Sequence, residues 1–101
     1  MAKTKFEYSI TYPTTEATFF GNIIASTTDE AAQAIARRHT TGKGQRYTRF
    51  ENYETKPKIL SDKTVKYHGD VYTRKSIRVK EAVDEKNVTI SVKAVKQKRT
   101  P

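Results

Sequence analysis

The chain has 101 residues, no cysteine and a formal net charge of +9. This length fits one domain with one modest core, and the lack of cysteine excludes disulfides, thiolate nucleophiles and thiolate metal sites. No apolar run approaches the roughly 20 residues that a bilayer span needs, so we expect a cytoplasmic protein without membrane contact.

The basic surplus is concentrated in the second half of the chain. Residues 1 to 55 hold seven Lys or Arg against six Asp or Glu, whereas residues 56 to 101 hold thirteen against five. Such asymmetry favours a polyanionic partner. The alternative is a lysine-rich surface that only keeps the protein in solution.

The N-terminal segment predicts a β-hairpin. Residues 5 to 12 alternate apolar and polar side chains, which is typical of a half-buried strand. Residues 13 to 16 supply a turn, and residues 17 to 25 predict a second, antiparallel strand. Phe and Ile residues break the alternation of this second strand, so we expect it to be covered on both faces, with a bulge at Gly21.

A helix is predicted next, with Thr27 as its N-cap. Glu30 then occupies the third helical position, where its carboxylate and the threonine hydroxyl each satisfy an exposed backbone N–H. Basic residues suit the negative end of the helix dipole, and Gly42 suits the stop. The inward stripe is predicted to consist of Ala31, Ala32, Ile35 and His39, with Ala34 at its margin.

Residues 45 to 55 fit both a helix and a strand. Their aromatic residues recur every three positions, as on a helix, but the aromatic and Thr content and the preceding Gly-rich loop favour a strand, which we predict. Pro57 is expected to end this strand. Ile59 and Leu60 then look like a connection that tucks two apolar side chains under the domain.

The rest of the chain is predicted to form an antiparallel meander. Residues 64 to 67 and 71 to 79 are expected to be strands on either side of a turn at residues 68 to 70. Residues 88 to 95 alternate cleanly after a predicted turn at residues 84 to 87.

Together these elements predict one α+β domain over residues 1 to 95, in the order β-β-α-β-β-β-β. Most of the domain is expected to be an antiparallel sheet with one amphipathic helix packed on it. Residues 96 to 101 hold no apolar side chain and are predicted to be a flexible basic tail.

The late strands supply the main candidate site. If Val71, Ile77 and Val79 face the core, the alternate side chains project together from the opposite face, beside those of the last strand. Such a face combines cations, a tyrosine and hydroxyls, a composition suited to phosphate contacts and base stacking. An ordinary solvated sheet face is the alternative. The predicted binding residues on this face are Tyr72, Arg74, Arg78, Lys80 and Lys93.

Two further basic segments extend this candidate site. A patch combined with a flexible basic arm is typical of nucleic-acid binders, and the tail supplies such an arm. The loop after the helix has two glycines but no phosphate-binding motif, so a helix stop followed by a loop is the favoured interpretation. The residues added are Lys96, Lys98 and Arg99 in the arm, and Lys43 and Arg46 as backbone-contacting groups in the loop.

The two histidines, His39 and His68, do not indicate a metal site, because no suitably spaced ligands accompany them. A metal-free ribonuclease that uses His68 as acid or base is conceivable, since 2′-hydroxyl attack needs only proton transfer and phosphate stabilisation. However, residues 68 to 70 are good turn formers, which is the favoured interpretation. We therefore expect no enzymatic activity, no metal and no cofactor.

The leading hypothesis is a small nucleic-acid-binding protein, with DNA or RNA as partner and a monomeric or homodimeric state. The rival hypothesis is a protein-interaction module, such as a small accessory or phage-encoded regulator, that docks on an acidic surface of a larger protein.

Overall fold

A computed structural model describes residues 3 to 39, 48 to 74 and 78 to 95. The order of elements confirms the predicted α+β class, with one helix after the first two strands and four strands after it. The elements are β1 (Thr4–Tyr12), β2 (Ala17–Ala25), α1 (Thr28–His39), β3 (Arg49–Asn52), β4 (Lys58–Ile59), β5 (Val65–Thr73) and β6 (Ala82–Ala94).

The six strands form one antiparallel sheet in the order β2-β1-β6-β5-β3, and β4 pairs with β5 beyond the end of β3. Because side chains alternate across a strand, the sheet has an inner face, on which α1 packs, and an outer face. The inner face and the helix form the core. Its buried members include Phe6, Tyr8, Ile10, Ala31, Ala32, Ile35, Ala36, Phe50, Tyr67, Val71, Val88, Ile90 and Val92.

The predicted capping box of α1 is confirmed. The Glu30 amide donates to the Thr27 hydroxyl at 3.1 Å, and the Ser26 amide donates to the Glu30 carboxylate at 3.1 Å. The first bond satisfies one of the backbone N–H groups that a helix start leaves open, and the second ties the residue before the N-cap to the first turn. At the other end His39 is only partly buried, and its Nε2 lies 2.8 Å from the Tyr8 hydroxyl. Burial, and then the nearby Arg38 charge, lowers the pKa of His39.

Side chains of α1 also contact both edges of the sheet. The Gln33 amide group donates to the Phe50 carbonyl at 2.6 Å and accepts from the Phe50 amide at 2.8 Å, which satisfies the backbone of the outermost strand β3. The Arg38 guanidinium donates to the Asn22 carbonyl of β2 at 2.7 Å. One helix thus ties both edge strands to the core.

The predicted turn at residues 68 to 70 is wrong, because β5 runs unbroken from Val65 to Thr73. Gly69 is needed there because the β3 backbone passes close to it: a Cβ on Gly69 would lie 1.8 Å from the Glu51 carbonyl oxygen. The strand predicted over residues 71 to 79 is the second part of β5 and ends earlier than predicted, at Thr73.

The predicted turn at residues 84 to 87 is also wrong, since these residues belong to the long strand β6. Asn87 has a φ of 58°, and the β5–β6 register shifts nearby, so a local irregularity replaces the turn. Val79, expected in the core, lies between β5 and β6 and is 46% exposed.

Three further expectations, about β2, Gly21 and Ile59, are corrected as well. β2 is covered on one face only: Phe20 is 78% exposed and Ile24 63% exposed, both on the outer face. The β1–β2 register passes Gly21 without a shift, so no bulge is present, and the Tyr8 ring lies over this glycine instead. Ile59 is not tucked under the domain but pairs with Val65 and is 70% exposed.

Candidate functional site

The structure separates the residues of the predicted basic face. Tyr72 lies on the outer face near the end of β5, and the Arg49 guanidinium lies over its ring at 4.4 Å. Arg74 follows the end of β5, and Arg78 and Lys80 are exposed in the connection to β6. These three arginine and lysine residues therefore cluster at the connection between the paired strands β5 and β6, which we call the hairpin end, rather than alternating along a strand.

Acidic side chains neutralise part of the positive charge at this hairpin end. Glu81 accepts hydrogen bonds from Arg49 at 2.7 to 3.0 Å, and Glu51 lies 2.9 Å from the same guanidinium. Hydrogen bonding to Arg49 lowers the pKa of the Glu81 carboxyl, so the pair stays charged at neutral pH. These ion pairs hold β3 to the β5–β6 connection and neutralise Arg49, whereas Arg74, Arg78 and Lys80 keep the region basic.

Lys93 lies near the far end of β6, on the order of 35 Å from the hairpin end. It points to the outer face as predicted, together with Thr89 and Ser91. The Asp62 carboxylate lies 3.7 Å from its ammonium group. A hydrogen bond from the Thr64 amide is the main cause that lowers the pKa of Asp62, which keeps this carboxylate charged beside Lys93.

Five predicted binding residues lie outside the described part of the chain, namely Lys43, Arg46, Lys96, Lys98 and Arg99. The described residues hold fourteen Lys or Arg against all eleven Asp or Glu, a net of +3, so six of the nine surplus charges belong to the other segments. Any strongly basic surface within the described residues must therefore arise from local clustering.

Such a cluster is found where the edge of the sheet is interrupted between β3 and β4. The Asn52 side chain accepts a hydrogen bond from the His68 backbone amide at 2.9 Å and donates to the Glu54 carbonyl at 2.9 Å. The Tyr53 amide still donates to the His68 carbonyl at 2.8 Å, but the Asn52 side chain takes the place of the next strand partner, so the chain leaves the sheet over residues 54 to 57. Pro57, which has no N–H, ends the excursion before β4 begins.

Tyr53 fixes this excursion against the outer face. Its hydroxyl donates to the Asp70 carboxylate and accepts from the Asn87 amide at 3.2 Å. The Tyr53 ring meets the His68 ring edge to face, with 4.9 Å between their centroids. The hydrogen bond to Asp70 is the main cause that raises the pKa of Tyr53. Half of the Tyr53 side chain remains exposed.

The interruption creates a cleft of about 310 Å³ on the outer face, which we call the lysine cleft. Lys56, Lys58 and Lys66 line it, together with His68 and the Thr89 hydroxyl. All three lysines are exposed, and among the described residues none of them forms an ion pair. Glu54 is the acidic residue in the lining, so the cleft has a net charge of +2.

Lys58 and Lys66 are direct partners across the β4–β5 pair. Opposed residues on neighbouring antiparallel strands have their Cβ atoms about 5 Å apart, and like charges in this arrangement destabilise a sheet. The β4–β5 register nevertheless places two lysines side by side on the outer face. An anion bound between their side chains would reduce this repulsion.

Sequence reasoning missed the lysine cleft. The available signal was a pair of lysines on either side of Pro57, followed by a third at Lys66. The pairing that joins them depends on β4, which has two residues and is too short to show a periodic pattern.

Within residues 3 to 39, 48 to 74 and 78 to 95, no three His, Asp or Glu side chains are grouped as metal ligands. In the same part of the chain, no helix has the length and apolar character to cross a membrane. Comparison of the chain with protein-family models, with curated proteins and with solved structures finds no match.

Proposed function

We propose that this protein is a non-enzymatic nucleic-acid-binding protein that contacts phosphates through the lysine cleft on the outer face of its sheet. The opposition of Lys58 and Lys66 is the observation that supports the proposal, because it brings together two cations that form no ion pair within the described part of the chain. Lys56 adds a third cation to the same cleft, and Thr89 adds a hydroxyl. Lysines and hydroxyl groups are common ligands of the phosphate backbone.

The residues predicted from sequence take secondary roles in this proposal. Arg74, Arg78 and Lys80 at the hairpin end supply a second contact region. Arg49 adds little charge to this region, because Glu81 neutralises it. Lys96, Lys98 and Arg99 supply a basic arm that adds sequence-independent attraction. Lys93 contributes less than its position suggests, because Asp62 lies beside it.

A salt titration of the wild-type protein tests the proposal. Each phosphate neutralised contributes about −0.7 to the log–log slope of affinity against salt for single strands, and about −0.9 for duplex DNA. Three cleft lysines therefore predict a slope of about −2 or steeper. Fluorescence anisotropy with a labelled oligonucleotide measures it. Absence of binding at low salt, or an affinity indifferent to salt, would overturn the proposal.

The rival function, docking on an acidic protein, draws on the same lysines. Capture of partners from a lysate before and after nuclease treatment separates the two functions. Loss of all partners after nuclease supports nucleic acid. Retention of an acidic protein, combined with a failed anisotropy titration, supports docking instead.

A further inference from the structure

The strand registers place five outer-face residues in one row across the sheet, which we call the transverse row. Ser9 pairs with Phe20 on one side and with Ser91 on the other. Ser91 pairs with Lys66, and Lys66 pairs with Lys58. With about 4.8 Å between neighbouring strands, the row extends about 19 Å from β2 to β4. It ends in the lysine cleft.

The chemistry of the transverse row changes from one end to the other. Phe20 at the β2 end is 78% exposed, which leaves most of an aromatic side chain on the surface. The two serines in the middle offer hydroxyl groups. The two lysines at the β4 end offer positive charge that no carboxylate of residues 3 to 39, 48 to 74 or 78 to 95 neutralises in an ion pair. Stacking groups, hydrogen-bonding groups and cations thus follow one another along a line.

The surface beside the row is concave at both ends. A hollow of about 580 Å³ is lined by Ser9, Phe20 and Ser91, and the lysine cleft of about 310 Å³ is lined by Lys66 and Lys58. Asn22 and Lys93 also line the larger hollow, as do the carboxylates Glu7 and Asp62. These carboxylates disfavour phosphate in the larger hollow, so a ligand would place bases there and phosphates in the lysine cleft.

Resting on the proposed function, we propose that the ligand is a single-stranded nucleic acid lying along the transverse row, with a base stacked on Phe20 and phosphates held by Lys66 and Lys58. A single strand can turn its bases onto an aromatic side chain, whereas the bases of a duplex are already stacked inside the helix. Sequence-tolerant binding to single strands combines stacking aromatics with a cationic track, and the row provides both.

Anisotropy with a short mixed-sequence single strand, and with the duplex of the same sequence, tests this proposal. The single strand is expected to bind more tightly than the duplex. Phe20→Ala is expected to weaken single-strand binding at least about fivefold, the lower end of the loss found when a stacking aromatic is removed. Ile24→Ala is the matched control, because Ile24 is also exposed on the outer face of β2 but has no aromatic ring. It is expected to leave affinity unchanged within about twofold.

A second readout uses the absence of tryptophan from the chain. F20W keeps an aromatic ring and introduces the protein's only tryptophan. It is expected to retain affinity, and its emission is expected to be quenched when the single strand is added. Circular dichroism of the variants checks that the fold is intact.

The outcomes separate this inference from the proposed function. Salt-dependent binding with no preference for the single strand, and no effect of Phe20→Ala, would overturn the inference and leave the proposed function standing. Failure of both nucleic acids to bind would overturn both. A wild-type dimer that Phe20→Ala converts to monomer, with single-strand affinity unchanged, would show a second copy of the chain on β2 and overturn the inference.

Discussion

Replacing Gly69 with alanine is expected to destabilise the protein by about 3 kcal/mol or more, at the upper end of single substitutions. The added Cβ would lie 1.8 Å from the Glu51 carbonyl oxygen and 2.7 Å from its carbonyl carbon. These are backbone atoms of β3, so the clash cannot be relieved by a change of rotamer. β3 would have to separate from β5.

The consequence would extend to the candidate site. Asn52 pairs with Gly69 across the β3–β5 ladder, and the Asn52 side chain directs the chain away from the sheet. Displacing β3 would therefore also displace the excursion that carries Lys56 into the cleft. We therefore expect that even the folded fraction of the Gly69→Ala protein does not bind nucleic acid.

Gly21→Ala is the matched control for this prediction. A Cβ on Gly21 would lie 2.7 Å from the Tyr8 hydroxyl, at the end of a side chain rather than against backbone. The Tyr8 ring is buried and its Cζ would also lie 2.9 Å away, so the ring must shift, and we expect a loss of about 1 to 3 kcal/mol, smaller than for a clash with backbone. Urea unfolding monitored by circular dichroism measures both variants. A Gly69→Ala protein as stable as Gly21→Ala would contradict the close approach of β3.

Replacing Lys58 and Lys66 together by glutamine is expected to weaken nucleic-acid binding roughly tenfold or more at low salt. Two phosphate contacts are lost, so the log–log salt slope for a single strand should become shallower by about 1.4. The same change removes the like-charge opposition across β4 and β5. Stability is therefore expected to rise, by roughly 0.2 to 1 kcal/mol.

This opposite movement of affinity and stability distinguishes a binding role from a structural one. Lys3→Gln with Lys63→Gln is the matched control, since it removes the same charge from exposed positions that do not line the cleft. We expect it to change affinity by a small, general charge effect only. If the control pair weakens binding as much as the cleft pair, attraction is spread over the whole protein and the cleft has no special role.

The fold was predictable where signals were local. Alternation predicted β1, the turn after it predicted an antiparallel β2, and the Thr27–Glu30 capping box predicted the start of α1, because each signal depends on residues a few positions apart. The turn predicted at residues 68 to 70 was wrong because glycine occurs both in turns and in strands that another backbone approaches closely. Gly69 provides close approach of a distant strand, which no local pattern reveals.

The candidate site was less predictable than the fold. Phe20 was expected to be covered, but within the described residues the 12-residue helix α1 covers only the inner face of the sheet, and Phe20 lies on the outer face. Lys58 and Lys66 are eight positions apart in sequence and meet only through the β4–β5 register. Conversely, Arg74, Arg78 and Lys80 were expected to alternate along a strand, but β5 ends before them.

Nuclear magnetic resonance with ¹⁵N-labelled protein tests most directly whether nucleic acid binds the outer face of the sheet. On titration with a short single strand at low salt, we predict that the amide signals of Ser9, Ser91 and Lys66 shift together in a saturable way. Signals of the buried helix residues Ala31 and Ile35, on the opposite side of the sheet, should stay in place. Shifts confined to α1, or no shifts at all, would contradict a nucleic-acid site on this face.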